Sequence, residues 1–151
     1  MRLSVILLCL TLFNSATSQE PTKPTDVATI YVYSTKHIKA ALGRVTASVL
    51  MDGKLIAKLD SKRYFVIQLP PGRHTFSGTT KSLGGVDLNF EAGKTYYLKM
   101  GWEYDTKIGP ASSGITVSPP ESALFDLKQM KPIESRDIRD PRVKVGRLPP
   151  Q

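Results

Sequence analysis

The stretch FVIQLPPGRHTFSG, residues 65–78, decides how the rest of the chain is read. Phe65, Ile67 and Leu69 alternate with polar or outward positions up to a Pro-Pro-Gly corner. Pro71 presets φ for the second position of a type II turn, and Gly72 supplies the positive φ that the third position requires. Beyond the corner the alternation resumes, with His74 and Phe76 on one face and Arg73, Thr75 and Ser77 on the other. Arg73-His74 is therefore the start of a strand, and the conspicuous basic pair needs no catalytic explanation.

The same grammar extends outward in both directions. In VDLNF (residues 86–90) Val86, Leu88 and Phe90 share a face, with Asp87 and Asn89 opposite. In YYLKMGW (residues 96–102) Tyr96, Leu98, Met100 and Trp102 share one, while Tyr97 and Lys99 point away. ATIYVY (residues 28–33) groups Ala28, Ile30 and Val32. Period-two alternation of this kind is the pattern of half-buried strands. Met51-Asp52-Gly53-Lys54 reads as a hairpin turn, since Asp52 and Gly53 both tolerate the positive φ of a type I′ turn, and Glu91-Ala92-Gly93-Lys94 reads as another tight connection. In RVTASVLMDGKLIAKL (residues 44–59) both faces carry apolar residues, Val45, Val49 and Ile56 against Leu50, Leu55 and Leu59, as in a strand pair covered on both sides.

Short strands separated by turns, with no long helical period among them, predict a mainly β fold: an antiparallel β-sandwich of about seven strands, immunoglobulin-like or transthyretin-like. One short C-terminal helix closes it. Ser118-Pro119-Pro120-Glu121 combines a serine suited to the N-cap, proline in the first turn and a glutamate placed for a capping box. Ala123, Leu124, Leu127 and Met130 form an apolar stripe, Lys128 and Lys131 lie near the negative end of the dipole, and Pro132 stops the helix. The expected domain runs from Val27 to Met130.

The N-terminus carries a different message. Met1-Arg2 is followed by the apolar run Leu3–Phe13 and then by small and polar residues, with Ala16 and Ser18 at the positions a signal peptidase reads. The run is shorter than the roughly twenty apolar residues of a membrane span. Residues 1–18 thus read as a signal peptide cleaved between Ser18 and Gln19, residues 19–26 as a linker, and the mature chain as periplasmic or extracellular with no transmembrane span. A lipid anchor at Cys9 is disfavoured, because Leu8 stands where lipoprotein processing wants a small residue. Cys9 is the only cysteine, so the mature chain has no disulfide, thiolate metal site or cysteine nucleophile, and its stability comes from packing.

The net charge of +8 falls to +7 when Arg2 leaves with the signal. Residues 131–151 hold Lys131, Arg136, Arg139, Arg142, Lys144 and Arg147 against Glu134, Asp137 and Asp140, and include Pro132, Pro141, Pro149 and Pro150. This composition predicts a disordered basic tail with weak attraction to anionic surfaces.

Residues suited to chemistry are few. His37 and His74 are the two histidines, in no metal-ligand spacing. His37 reads as a solvated loop residue and His74 as a partly buried strand histidine bonded to a backbone carbonyl. There is no Gly-x-Ser-x-Gly nucleophile elbow, and the glycine-rich SLGGV (residues 82–86) precedes a strand, so no helix N-terminus stands ready for a phosphate. No pair of carboxylates is placed as in glycosidases. No catalytic, cofactor or metal residues are therefore assigned. Tyr31, Tyr33, Tyr64, Tyr97, Trp102 and Tyr104 could build a stacking platform for sugars or bases, though aromatic residues on strands more often pack against one another.

The ordered set ATIYVY, VLMDGKLIAKL, YFVIQLPPGRHTFSG and LNFEAGKTYYLKM, followed by a short helix, resembles the domain of unknown function 2846, found mostly in bacterial exported proteins and lipoproteins. The resemblance covers Ala28 to about Met130; LPPG and AGKTYY alone also look like envelope sandwich modules named after a Pro-Glu-Gly-Ala motif. It implies a small β-sandwich working beyond the inner membrane, with no catalytic residues to carry over. The expected function is a non-enzymatic cell-envelope or extracellular interaction module, binding protein or glycan through loops Ser34–Gly43 and Asp105–Ser113. The alternative is a hydrolase or other enzyme with a dispersed site.

Overall fold

Ala28, Ile30 and Val32 alternate with Tyr31 and Tyr33 along the first strand, all five are buried, and the fold is arranged around it. The computed structural model describes residues 26–35, 46–78, 85–103 and 112–146. The chain runs through β1 (Ala28–Ser34), β2 (Ala47–Met51), β3 (Lys54–Leu59), β4 (Arg63–Leu69), β5 (Gly72–Gly78), β6 (Val86–Phe90), β7 (Thr95–Glu103) and β8 (Ser112–Val117). Helix α1 (Pro120–Leu127) follows, then two-residue strands β9 (Lys131–Pro132) and β10 (Val143–Lys144) on either side of a 3₁₀ turn at Ser135–Asp137. The structure is a mainly β sandwich with one short helix, as expected from the sequence.

The first sheet has the order β10-β4-β1-β7-β8, with β9 also on β4; the second has the order β3-β2-β5-β6. Ala28, Ile30, Val32, Phe65, Ile67, Leu69, Leu98 and Met100 of the first sheet meet Val49, Met51, Ile56, Phe76 and Phe90 of the second in the main core. The sandwich is not wholly antiparallel. β1 pairs antiparallel with β4 but parallel with β7, from Thr29↔Thr95 to Ser34↔Met100. A parallel pair needs a long crossover, and the excursion of the chain through the second sheet supplies it.

The Pro-Pro-Gly corner differs from the expected type II turn. β4 lies in the first sheet and β5 in the second, so the corner carries the chain between sheets. Neither proline can donate to the ladder, which releases the chain from β4's partner. Gly72 has φ of +139°, positive but far from the roughly +80° of a type II turn, because it is already the first residue of β5 and is paired with Phe90. At the β2–β3 hairpin Asp52 and Gly53 have φ of 50° and 76°, and Gly93 has 74°. Lys62, in the β3–β4 turn, also has positive φ (52°), a feature without a glycine or asparagine to announce it.

The double-sided apolar pattern of residues 44–59 has a local cause. The β2–β3 register shifts between Val49 and Leu50: Val49 pairs with Ala57 but Leu50 with Leu55. Ile56 is thus the extra residue of a β-bulge, and Ile56 and Ala57 are both fully buried in succession. Leu50 and Leu55 stay on the outer side, Leu55 being exposed.

Helix α1 begins one residue later than the serine predicts. Pro119 holds the N-cap without a side-chain bond, and the Ser118 hydroxyl instead accepts a hydrogen bond from Tyr33 Oη at 2.9 Å. Ala123 and Leu127 are buried, with Leu124 and Met130 packed beside them on Tyr31, Tyr33, Tyr64, Val66 and Tyr97. The outer face of the first sheet is therefore a second, smaller core.

The segment after the helix corrects the expected disordered tail as far as residue 146. The Lys131 and Ile133 N–H groups donate to the carbonyls of Lys62 and Tyr64, which places β9 on the outer edge of β4. The chain then crosses to the second sheet, where Ile138 bridges Ala57 and the N–H groups of Arg139 and Asp140 both donate to Ile56 O. It returns as β10, pairing Val143 with Ile67. Ile133 and Val143 are buried, and Tyr64 Oη donates to Gly146 O at 3.0 Å. Two widely spaced apolar side chains and bonds to a bulge suffice to order a segment whose composition looks unstructured. Its ordered part also ties much of its charge internally: Arg142 forks onto Asp140 (3.0 and 2.7 Å), and Arg136 lies 2.9 Å from Glu134.

The strap predicts a measurable cost. Ile133→Ala should destabilise the protein by about 2–5 kcal/mol, as for other large-to-small core changes. Removing Pro132 onward should lower Tm by about 10 °C or more in a thermal melt. An unchanged Tm after truncation would show that the segment does not bear on the sandwich.

Candidate functional site

The polar groups that the fold brings together lie around the β2–β3 turn. Asp52, at its tip, bonds sideways to β5: its N–H donates to Thr75 O at 2.8 Å, and its Oδ1 accepts from the Thr75 N–H at 2.9 Å. Asp52 Oδ2 lies 2.8 Å from His74 Nδ1. The positive φ at Asp52 turns the carboxylate back across the sheet, so the residue that makes the turn also extends the β2–β5 pairing. His74 is mostly buried, 19% exposed, and its ring lies 6.1 Å from Phe90. Its partner is thus a carboxylate and not the expected backbone carbonyl, because the turn places Asp52 beside the ring.

The outer face of β5 and β6 carries a second group. Strand alternation places Thr75 on the face opposite His74, where its hydroxyl donates to Asp87 Oδ1. Arg73 Nη2 donates to Asp87 Oδ2 at 2.7 Å. Arg73 and Thr75 are thereby held on one carboxylate, with the Arg73 side chain 76% exposed. Asp87 and Asn89 are also exposed, so this part of the sheet is a polar surface with the Arg73 and Thr75 donors held on Asp87.

These arrangements set the carboxylates' titration. Burial pushes Asp52 up, but the bonds from His74 and the Thr75 N–H, with the charges of His74 and Arg142, outweigh it and hold the group below its usual range. The Thr75 hydroxyl and then Arg73 lower Asp87. The Arg142 fork lowers Asp140 despite partial burial.

Tyr31, Tyr33, Tyr64 and Tyr97 do not form an exposed platform. All four are 0–6% exposed beneath α1. Tyr31 and Tyr97 stack at 5.5 Å, and Lys99 Nζ stands 6.0 Å from the Tyr33 ring while bonding Asp126 at 3.0 Å. Burial raises all four phenols above their ordinary values, so they serve as neutral packing groups with a donor at the tip. A shallow cleft of about 90 Å³ beside the helix end is lined by Thr35, Lys62, Asp126, Gln129 and Met130. That is small against the roughly 300–1,000 Å³ of ligand pockets.

Several sequence-derived assignments lie outside the described residues: Cys9, the Ser18-Gln19 cleavage site, His37, Tyr104, the Trp102 side chain and most of both proposed binding loops. Among the described residues, no group of three or more His, Cys, Asp or Glu is placed to hold a metal. The polar row of Arg73, Asp87 and Asn89, exposed, and Thr75, half-buried, is marked in the sequence only by strand alternation. Its one legible signal was that polar residues fall in step on consecutive strands.

Residues 24–114 match the family described as protein of unknown function (DUF2846). The chain belongs to this family. The match begins just before β1 and ends within β8, so α1 and the C-terminal strap fall outside it, although the sequence resemblance had extended to Met130. No curated protein and no solved structure matches the chain.

The lowered carboxylates set a pH dependence. A group depressed in the folded state contributes stability above its unfolded pKa, about 4, and loses it as pH falls through the lower folded value. Tm should therefore fall steeply below about pH 4. Asp52→Asn should flatten that fall and cost about 1 kcal/mol or less at pH 7, since Asp52 is 46% exposed. An acid limb in Asp52→Asn as steep as in the wild type would show that the His74 pair contributes nothing.

Proposed function

We propose that this DUF2846 protein is an exported, non-catalytic interaction module of the cell envelope or extracellular space, and that it binds a polar protein or glycan partner. The observation that carries this reading is the outer face of β5 and β6, where Asp87 holds the Arg73 guanidinium and the Thr75 hydroxyl in fixed orientation beside Asn89. Pre-oriented donors on a rigid sheet lose little side-chain entropy on binding, which is how polar surfaces gain affinity. The face is exposed at Arg73 and Asp87, which suits a surface partner better than a buried small substrate. Among the described residues no helix is long and apolar enough to cross a membrane.

Export rests on the N-terminal sequence. Cleavage between Ser18 and Gln19, without lipid on Cys9, gives a mature chain beginning at Gln19. Intact mass of the protein recovered from outside the cytoplasm tests this: a diacylglycerol adduct or a retained Met1 overturns it.

Binding rests on the sheet face. Wild-type protein on a glycan array and in pull-downs from an envelope fraction should capture a partner, and Arg73→Glu should weaken that capture by about tenfold, the factor equal to 1.4 kcal/mol. Equal binding by Arg73→Glu would remove this face from the account. A panel of ester and glycoside substrates provides the contrary outcome, since turnover abolished by His74→Gln in a folded protein would establish an enzyme.

A further inference from the structure

The two sheets expose strand edges, and most of them are blunted. The outer edge of β4 is covered by β9 and β10. β3 carries Lys54 and Lys58, and its bulge carbonyl at Ile56 is taken by the strap. β6 is short and carries Asp87. Charges, bulges and covering segments are the usual protections of an edge. β8 has none of them: SSGITV contains no charge and no proline, and β7 is its sole partner strand among the described residues.

The direction of β8's backbone groups follows from its register. Ser118 N–H donates to Tyr97 O, and Lys99 pairs with Thr116. In an antiparallel ladder bonded residues alternate, so Gly114 and Thr116 bond to β7 while Ser113, Ile115 and Val117 direct their N–H and C=O groups outward. Val117 lies on the core face with Ile115, yet it is 51% exposed.

We infer that β8 is a self-association edge, at which a second copy of this chain adds its own β8 antiparallel about a twofold axis through Ile115. In that register Ile115 faces Ile115 of the second copy and Ser113 faces Val117, so each outward donor and acceptor between them is matched. Gly114 faces Thr116, the smallest residue against a branched one, and no atom lies within 4 Å of where a Cβ on Gly114 would stand. Val117 becomes the diagonal neighbour of the other Ile115, which covers its exposed side chain. The like-charged chains can meet here because neither strand brings a charge to the seam. This inference uses a surface separate from the Arg73 face.

Cross-linking tests the register. The facing residues at 114 and 116 form a pair without mutual hydrogen bonds, with Cα atoms about 4.5 Å apart, within the roughly 4.4–6.8 Å of disulfides. The full-length Gly114→Cys, Thr116→Cys double variant should oxidise to a reducible dimer, while each single variant behaves as the wild type, which shares Cys9. A double variant no more cross-linked than the singles overturns the register. In sedimentation equilibrium the wild type should approach twice the monomer mass with rising concentration, and Val117→Lys should lose that dimer while keeping the wild-type Tm at concentrations where the wild type is monomeric. A wild type that stays monomeric, or a dimer that persists in Val117→Lys, overturns the proposal.

Discussion

Burial of β1 on both faces is the constraint from which the rest of the structure follows. Ala28, Ile30 and Val32 are fully buried against the second sheet, while Tyr31 and Tyr33 are buried beneath α1. Each fully buried Ile or Val contributes about 1.5–3 kcal/mol, and the mature chain expected from the sequence has no disulfide to supplement such terms. A parallel neighbour is tolerated because both faces are covered, as parallel pairing generally requires. The sandwich alone would leave the tyrosines of β1, β4 and β7 in water. The helix is therefore a structural necessity, and its short length suffices because Ala123 and Leu127 settle among aromatic rings.

The C-terminal strap answers a related problem at the sheet margins. A two-sheet sandwich leaves the outer edge of β4 and the bulge of β3 with unpaired main-chain groups close together. The strap satisfies both, alternating between the sheets and anchoring itself with Ile133 and Val143. The basic residues that suggested an electrostatic tail are largely committed to this task. Lys144 donates to Gln68 at 2.9 Å, Arg142 to Asp140, and Arg139 to the carbonyls of Arg136 and Ile138, while Arg136 pairs with Glu134.

The Asp52–His74 pair shows how a turn can resemble an active site. An aspartate oriented on Nδ1 of a histidine is the geometry of a general base, yet the neighbouring hydroxyl of Thr75 faces the other side of the strand. What the pair does is lock the hairpin to β5. The polar row on the opposite face is free of that duty.

The sequence by itself determined the local architecture. Period-two alternation placed β1 and β4 to β7, Asp52-Gly53 placed the hairpin, and the apolar stripe after Ser118 placed the helix, because strand faces and turn dihedrals are short-range properties. The tertiary structure alone decided which strands meet. Nothing in residues 28–34 and 95–100 marks their pairing as parallel, and nothing in the Pro-Pro-Gly corner says that it changes sheets. It also decided that Tyr31, Tyr33, Tyr64 and Tyr97 are core and not platform, since outward-facing is defined only once α1 has been laid over them. The strap was the least legible element: its order comes from an unpaired edge, a bulge carbonyl and a pocket for Ile133, all supplied by residues about seventy or more positions away.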